Sequence, residues 1–174
     1  MTQVRTMKRA SALFALVMAL VLVLSALGAS EADARKNRAT ASRVTTFATI
    51  DGLDDEIFTP DERCHIEDST EVVLRNSVPR KLMYLECKWG GEVRVELNLN
   101  GRRFNNGSVL VTGVARLYEG TSEDTQDLDG EKDFSISVPK GQTVNIKQRV
   151  ENTDEGGDFA DIDMSFHNAP VKRR

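Results

Sequence analysis

The sequence predicts an all-β protein, an antiparallel β-sandwich of about eight strands. Three observations carry this reading. Apolar and polar residues alternate in short runs, the period of a strand with one buried face. Gly, Pro, Asn and Asp punctuate those runs at regular spacing, as hairpin turns require. After residue 34, no stretch sustains a helical period beyond about two turns.

Residues 1–34 read as a signal peptide and stand apart from the fold. Arg5, Lys8 and Arg9 give a basic start, residues 12–24 are an unbroken apolar run, and Ala32-Asp33-Ala34 is an A-x-A cleavage pattern; a second cleavage point lies near Gly28. The run is shorter than the ~20 residues that span a bilayer core. Export with cleavage is therefore expected, a secreted or extracellular location, and no stable membrane anchor. Residues 35–42 are polar and aperiodic, a disordered lead-in. The sandwich domain is expected over 43–170.

The strands follow in order. Residues 44–50 are rich in β-branched side chains, and 64–75 centre on Val72, Val73 and Leu74. In 81–89, Leu82 and Tyr84 fall on one face and Met83, Leu85 and Cys87 on the other; Gly90-Gly91 then suits a tight hairpin. Residues 92–99 alternate most cleanly, with Val93, Val95, Leu97 and Leu99 inward and Glu92, Arg94, Glu96 and Asn98 outward. A Gly/Asn-rich loop, 100–107, leads to 108–118, which is apolar on both faces over most of its length. Residues 119–133 form an acidic loop holding seven acids and one basic residue, Lys132. Residues 134–138 alternate Phe134, Ile136 and Val138 with serines. A Pro139-Lys140-Gly141 turn, a strand at 143–150, a second acidic loop at 151–158 and a strand at 159–167 complete the chain.

Charge is unevenly placed. Residues 50–168 hold 25 acidic and 13 basic residues, a net charge of −12. Such a surface repels nucleic acid and suits cations or basic partners. If successive strands are antiparallel, alternate connections emerge at opposite ends. One end receives 51–63, 89–91, 119–133 and 151–158, which together carry 17 of those 25 acids. The other receives 76–80, 99–107, 139–142 and the C-terminal tail, with Arg80, Arg102, Arg103 and Lys140 and no acid.

Carboxylates crowded at one end are plain solvated loops by default, and a bound cation is the functional alternative because it removes their mutual repulsion. Ca2+ takes about six to eight oxygen ligands and is abundant outside cells. Asp124, Asp127, Asp129, Asp154 and Asp158 are the candidate metal ligands. An EF-hand is excluded: aligned from Asp127, the required glycine position holds Lys132 and the final bidentate position holds Val138.

Other chemistry is sparse. The two cysteines, Cys64 and Cys87, are expected to form a disulfide, closing a loop worth roughly 3 kcal/mol in the chain-entropy picture. His65 and His167 belong to no zinc motif, and there is no G-x-S-x-G elbow and no phosphate loop. Paired carboxylates are what glycoside hydrolysis needs in outline, but aromatic sugar platforms are few. Asn106-Gly107-Ser108 matches a glycosylation acceptor and equally a turn, and the turn is preferred. The reading is an exported, non-catalytic module whose acidic tip binds Ca2+ or a basic partner, an unknown extracellular ligand. The alternatives are a small secreted enzyme acting on glycans, or a secreted inhibitor or structural surface protein. Loop 100–107, with Arg102, Arg103 and Phe104, is the inhibitory candidate.

Overall fold

A computed structural model describes residues 41–54, 62–154 and 157–171. They lie in one compact unit, Ala39–Arg174. The signal-peptide reading of 1–34 and most of the lead-in fall outside the described residues. Among the described residues there are eight strands: β1 (Ala41–Asp54), β2 (Glu62–Leu74), β3 (Arg80–Trp89), β4 (Val93–Arg103), β5 (Val109–Tyr118), β6 (Leu128–Val138), β7 (Thr143–Glu151) and β8 (Phe159–Val171). They form two four-stranded sheets, β2-β1-β8-β7 and β3-β4-β5-β6. Every pairing is antiparallel. This is the sandwich that the alternation predicts, with a core between the two inner faces.

The core follows the period of two. Val93, Val95, Leu97 and Leu99 of β4 are buried against Val44, Ala48 and Ile50 of β1, Val109, Val111, Ala115 and Leu117 of β5, and Ile162, Met164 and Phe166 of β8. Glycines admit close approach where a side chain has no room. A Cβ on Gly52 would stand 2.7 Å from the Trp89 ring, and one on Gly113 would run into Phe134. The Cys64–Cys87 disulfide, with Cα atoms 6.1 Å apart, joins edge strands β2 and β3 and so clasps the two sheets along one side.

The structure departs from the simple alternation in four places. A register shift between Lys81 and Met83 turns both Leu82 and Met83 inward, so Leu82 does not share a face with Tyr84. β4 runs on to Arg103, which leaves only a short turn where a protruding 100–107 loop was expected. In that turn the Asn106 side chain accepts hydrogen bonds from the Ser108 amide (3.0 Å) and hydroxyl (2.7 Å). β6 begins at Leu128, inside the stretch read as acidic loop, because Glu131 and Asp133 lie on its exposed outer face where charge does not oppose a strand. β1 begins at Ala41, three residues ahead of the expected strand, with Ala41 and Ser42 buried, and runs on to Asp54, inside the stretch read as the 51–63 loop.

The reversals sort the connections as the parity of antiparallel strands dictates. At one end, the Arg103 amide bonds the Asn76 carbonyl, and fully buried Asn168 donates to the Gly107 (2.9 Å) and Val138 (3.0 Å) carbonyls. At the other end, the Lys88 ammonium meets Asp124 at 3.0 Å, and the Thr153 amide bonds the Asp129 carbonyl at 2.9 Å. The β3–β4 turn, the β5–β6 loop and the β7–β8 loop therefore share the acidic pole. The ends of β1 and β2 reach it too, since a Cβ on Gly90 would stand 2.5 Å from the Asp54 carboxylate.

Candidate functional site

The site is built on the β5–β6 and β7–β8 loops. Asp129, at the start of β6, ties them together. Its carboxylate accepts a hydrogen bond from the Glu119 amide (2.8 Å), and its carbonyl accepts from both the Thr153 amide (2.9 Å) and the Thr153 hydroxyl (2.7 Å). Gly130 lets the two edge strands meet: a Cβ there would overlap the Glu151 carbonyl. Asn152 is buried and faces both loops. Its amide nitrogen donates to the Glu119 carboxyl, its carbonyl oxygen accepts from the Asp154 amide (2.8 Å), and its backbone amide bonds the Asp158 carbonyl (2.9 Å). Within the β5–β6 loop, the Thr125 hydroxyl accepts from the Asp127 amide at 3.1 Å, which sets the Asp127 backbone.

The loop is anchored from below by Arg94. This residue falls on the outward phase of β4, yet it is only 5% exposed. Its guanidinium stacks 4.4 Å from the Tyr118 ring centroid and donates to the Glu123 (2.6 Å) and Thr125 (2.9 Å) carbonyls. The planar fork of arginine suits two carbonyls presented side by side. Lys88 adds a tether between Glu86 and Asp124, and its ammonium holds the Asp124 carboxyl below the usual carboxylate range.

Above this floor lies an open cavity of about 290 Å3, lined by Glu119, Gly120, Asp127, Asp129, Asn152 and Asp154. Burial pushes the Glu119 carboxyl up to about 7; the hydrogen-bonded carboxyl of Asp158 and the charge of Asp129 push the same way, against the Asn152 amide. Below about pH 7 the cluster therefore retains a proton among carboxyl groups that would otherwise repel, and it loses that proton as pH rises through neutrality.

Of the five candidate ligands, the cavity brings together Asp127, Asp129 and Asp154. Asp158 sits behind them against Glu119, and Asp124 points away to Lys88. Among the described residues, no group of three or more histidine, cysteine or acidic side chains converges closely enough to hold a metal ion. Glu119 and Asn152 are site residues that sequence reasoning passed over. Glu119 stood in the acidic count without distinction, and a lone Asn carries no signal until its two loops are known to meet. Among the described residues, no helix is long and apolar enough to cross a membrane.

No protein-family model matches the chain, and no curated protein sequence matches it. Among solved structures, the chain is similar to a Salmonella SPI-1 type III secretion injectisome secretin, InvG (residues 176 to its end) in the open gate state, at 8% identity and a TM-score of 0.32. That alignment covers 79% of this chain and 61% of the secretin chain.

Proposed function

We propose that the protein is an exported, non-catalytic binding module whose acidic pole receives a cationic group, a lysine or arginine side chain, from an extracellular partner. The carrying observation is the cavity itself. Four carboxyl groups, of Glu119, Asp127, Asp129 and Asp154, line it, and among the described lining residues there is no basic side chain. The nearby cations, Lys88 and Arg94, are turned to other partners. A docked ammonium or guanidinium takes over the role of that proton, displaces it, and donates charge-assisted hydrogen bonds to the carboxylates left charged. The apolar run and A-x-A pattern support export, and the disulfide accords with an oxidising compartment. The described lining carries no aromatic platform for a sugar, which favours a binding module over a glycan-cleaving enzyme.

Calcium is the second reading: Asp127, Asp129 and Asp154 share one cavity, and since they do not converge on one point as placed, an ion would have to draw them together. Calorimetric titration separates the two. A lysine-rich peptide should bind at low salt, and replacing Asp127 and Asp154 together by Asn should weaken it about tenfold, the worth of two partly screened ion pairs. Asp124→Asn, outside the cavity, should leave affinity unchanged. A melting temperature that rises with millimolar Ca2+, and no longer rises in the Asp127/Asp154 variant, would replace the peptide reading with the calcium one. Binding of neither refutes both.

A further inference from the structure

The outer face of the β2-β1-β8-β7 sheet carries a second feature, remote from the acidic cavity. Phe47 stands at its centre on β1, 42% exposed. Its row across the sheet is Asn145, Ser165, Phe47 and Ser69, so short polar side chains leave the ring standing proud. Beside it, over β8 and β7, lies a cavity of about 180 Å3, lined by Phe47, Asn145, Lys147, Asp163 and Ser165 and floored by Ile146 and Met164. Knob and hole are thus neighbours on one face. Edge strand β7 carries Lys147, paired with Asp163 at 2.9 Å, and Arg149, paired with Asp161; edge strand β2 carries Glu67 and Glu71, the latter paired with Arg43 at 3.2 Å.

We propose that this face binds a second copy of the chain, the two sheets packing about a two-fold axis parallel to their strands. Such an axis keeps height along the strands and exchanges left for right. It lays β7 of one copy over β2 of the other. Each Phe47 then enters the other copy's cavity beside the resident Phe47 ring, an aromatic pair at the centre of the interface. Lys147 and Glu67 share one row of the sheet, so each Lys147, held at 2.9 Å by Asp163 of its own copy, also comes over Glu67 of the other and bridges the two carboxylates at both rims. The same operation sets Asp51 over Asp161, and each arrives already paired: Asp51 with His65 at 2.6 Å, Asp161 with the two-pronged Arg149 at 2.6 and 2.7 Å. A second copy is the occupant that matches, in one operation, the knob to the hole and Lys147 to Glu67 on either side of it.

Sedimentation velocity over a wide concentration range tests this. The wild type should form a reversible dimer. Phe47→Ser should raise its dissociation constant at least about tenfold, as loss of a central anchor does. Lys147→Glu should weaken the dimer similarly, and adding Glu67→Lys to it should restore affinity to within about threefold of wild type. Tyr84→Ser, an exposed aromatic on the other sheet, should change nothing. A wild type that stays monomeric throughout, a dimer that survives Phe47→Ser, a charge swap that restores nothing, or dissociation by Tyr84→Ser would each overturn the proposal.

Discussion

Replacing Arg94 by Met should loosen the acidic pole without disturbing the core. The side chain is buried, and it gives charge-assisted hydrogen bonds to the Glu123 and Thr125 carbonyls at 2.6 and 2.9 Å. Bonds to a charged group contribute about 1.5 to 3 kcal/mol each, so the pair is worth about 3 kcal/mol at the lower end. Stacking on Tyr118 adds about 1 kcal/mol. Both carbonyls lie on a surface loop that water reaches once it relaxes, and Met keeps the apolar contact of the stem. The net loss in urea unfolding should be about 2 kcal/mol. Amide exchange in the β5–β6 loop should accelerate, while β4 and β5 amides remain protected. Arg94→Lys should recover less than half, since an ammonium lacks the fork that spans two carbonyls. A loss below about 0.5 kcal/mol with unchanged loop exchange would refute the view that Arg94 holds this loop.

Further outcomes follow from the same geometry. Glu119 is held up to about 7, so its contribution is fully present below its ordinary range, near 4.5, and is lost as pH rises through about 7. Unfolding free energy should therefore fall between about pH 5 and about pH 8 by on the order of 1 kcal/mol, discounted for solvent reaching the carboxyl, and Glu119→Gln should flatten that slope and be the more stable form at the upper end. Gly130→Ala should cost about 3 kcal/mol, the upper end of overpacking, in chemical unfolding, because its Cβ meets the Glu151 backbone carbonyl, which cannot swing aside as a side chain does. Reducing the Cys64–Cys87 bridge, 23 residues apart in sequence, should lower stability by about 3 kcal/mol in a melting comparison with and without reductant.

The strands were legible because each carries its own alternation, and alternation is a local property. Val93, Val95, Leu97 and Leu99 announce a buried face without knowledge of what covers it. The pairing of ends was legible for a related reason: a count of reversals fixes which connections share a pole. What stayed hidden depended on neighbours distant in sequence. Arg94 sits on the polar phase of β4, and only the overlying loop at 123–125 buries it. Leu128, Asp129 and Gly130 read as loop because acids surround them, yet Asp129 is drawn into β6 by its bonds to Glu119 and Thr153. Leu82 turns inward through an irregularity in the β3–β4 register that no periodicity encodes. The grouping of Asp127, Asp129 and Asp154 apart from Asp124 likewise required the side-chain partners, since all four stand in the same acidic composition.

The acidic cavity as a receptor for a cationic group is tested most directly by residue-resolved amide NMR during titration with a lysine-rich peptide at low salt. Shifts should concentrate on Glu119, Gly120, Asp127, Asp129, Asn152 and Asp154, fade as salt screens the carboxylates, and require about tenfold more peptide when Asp127 and Asp154 are both replaced by Asn. Peptide-induced shifts spread evenly over the surface, or gathered elsewhere while these six amides stay still, would contradict it.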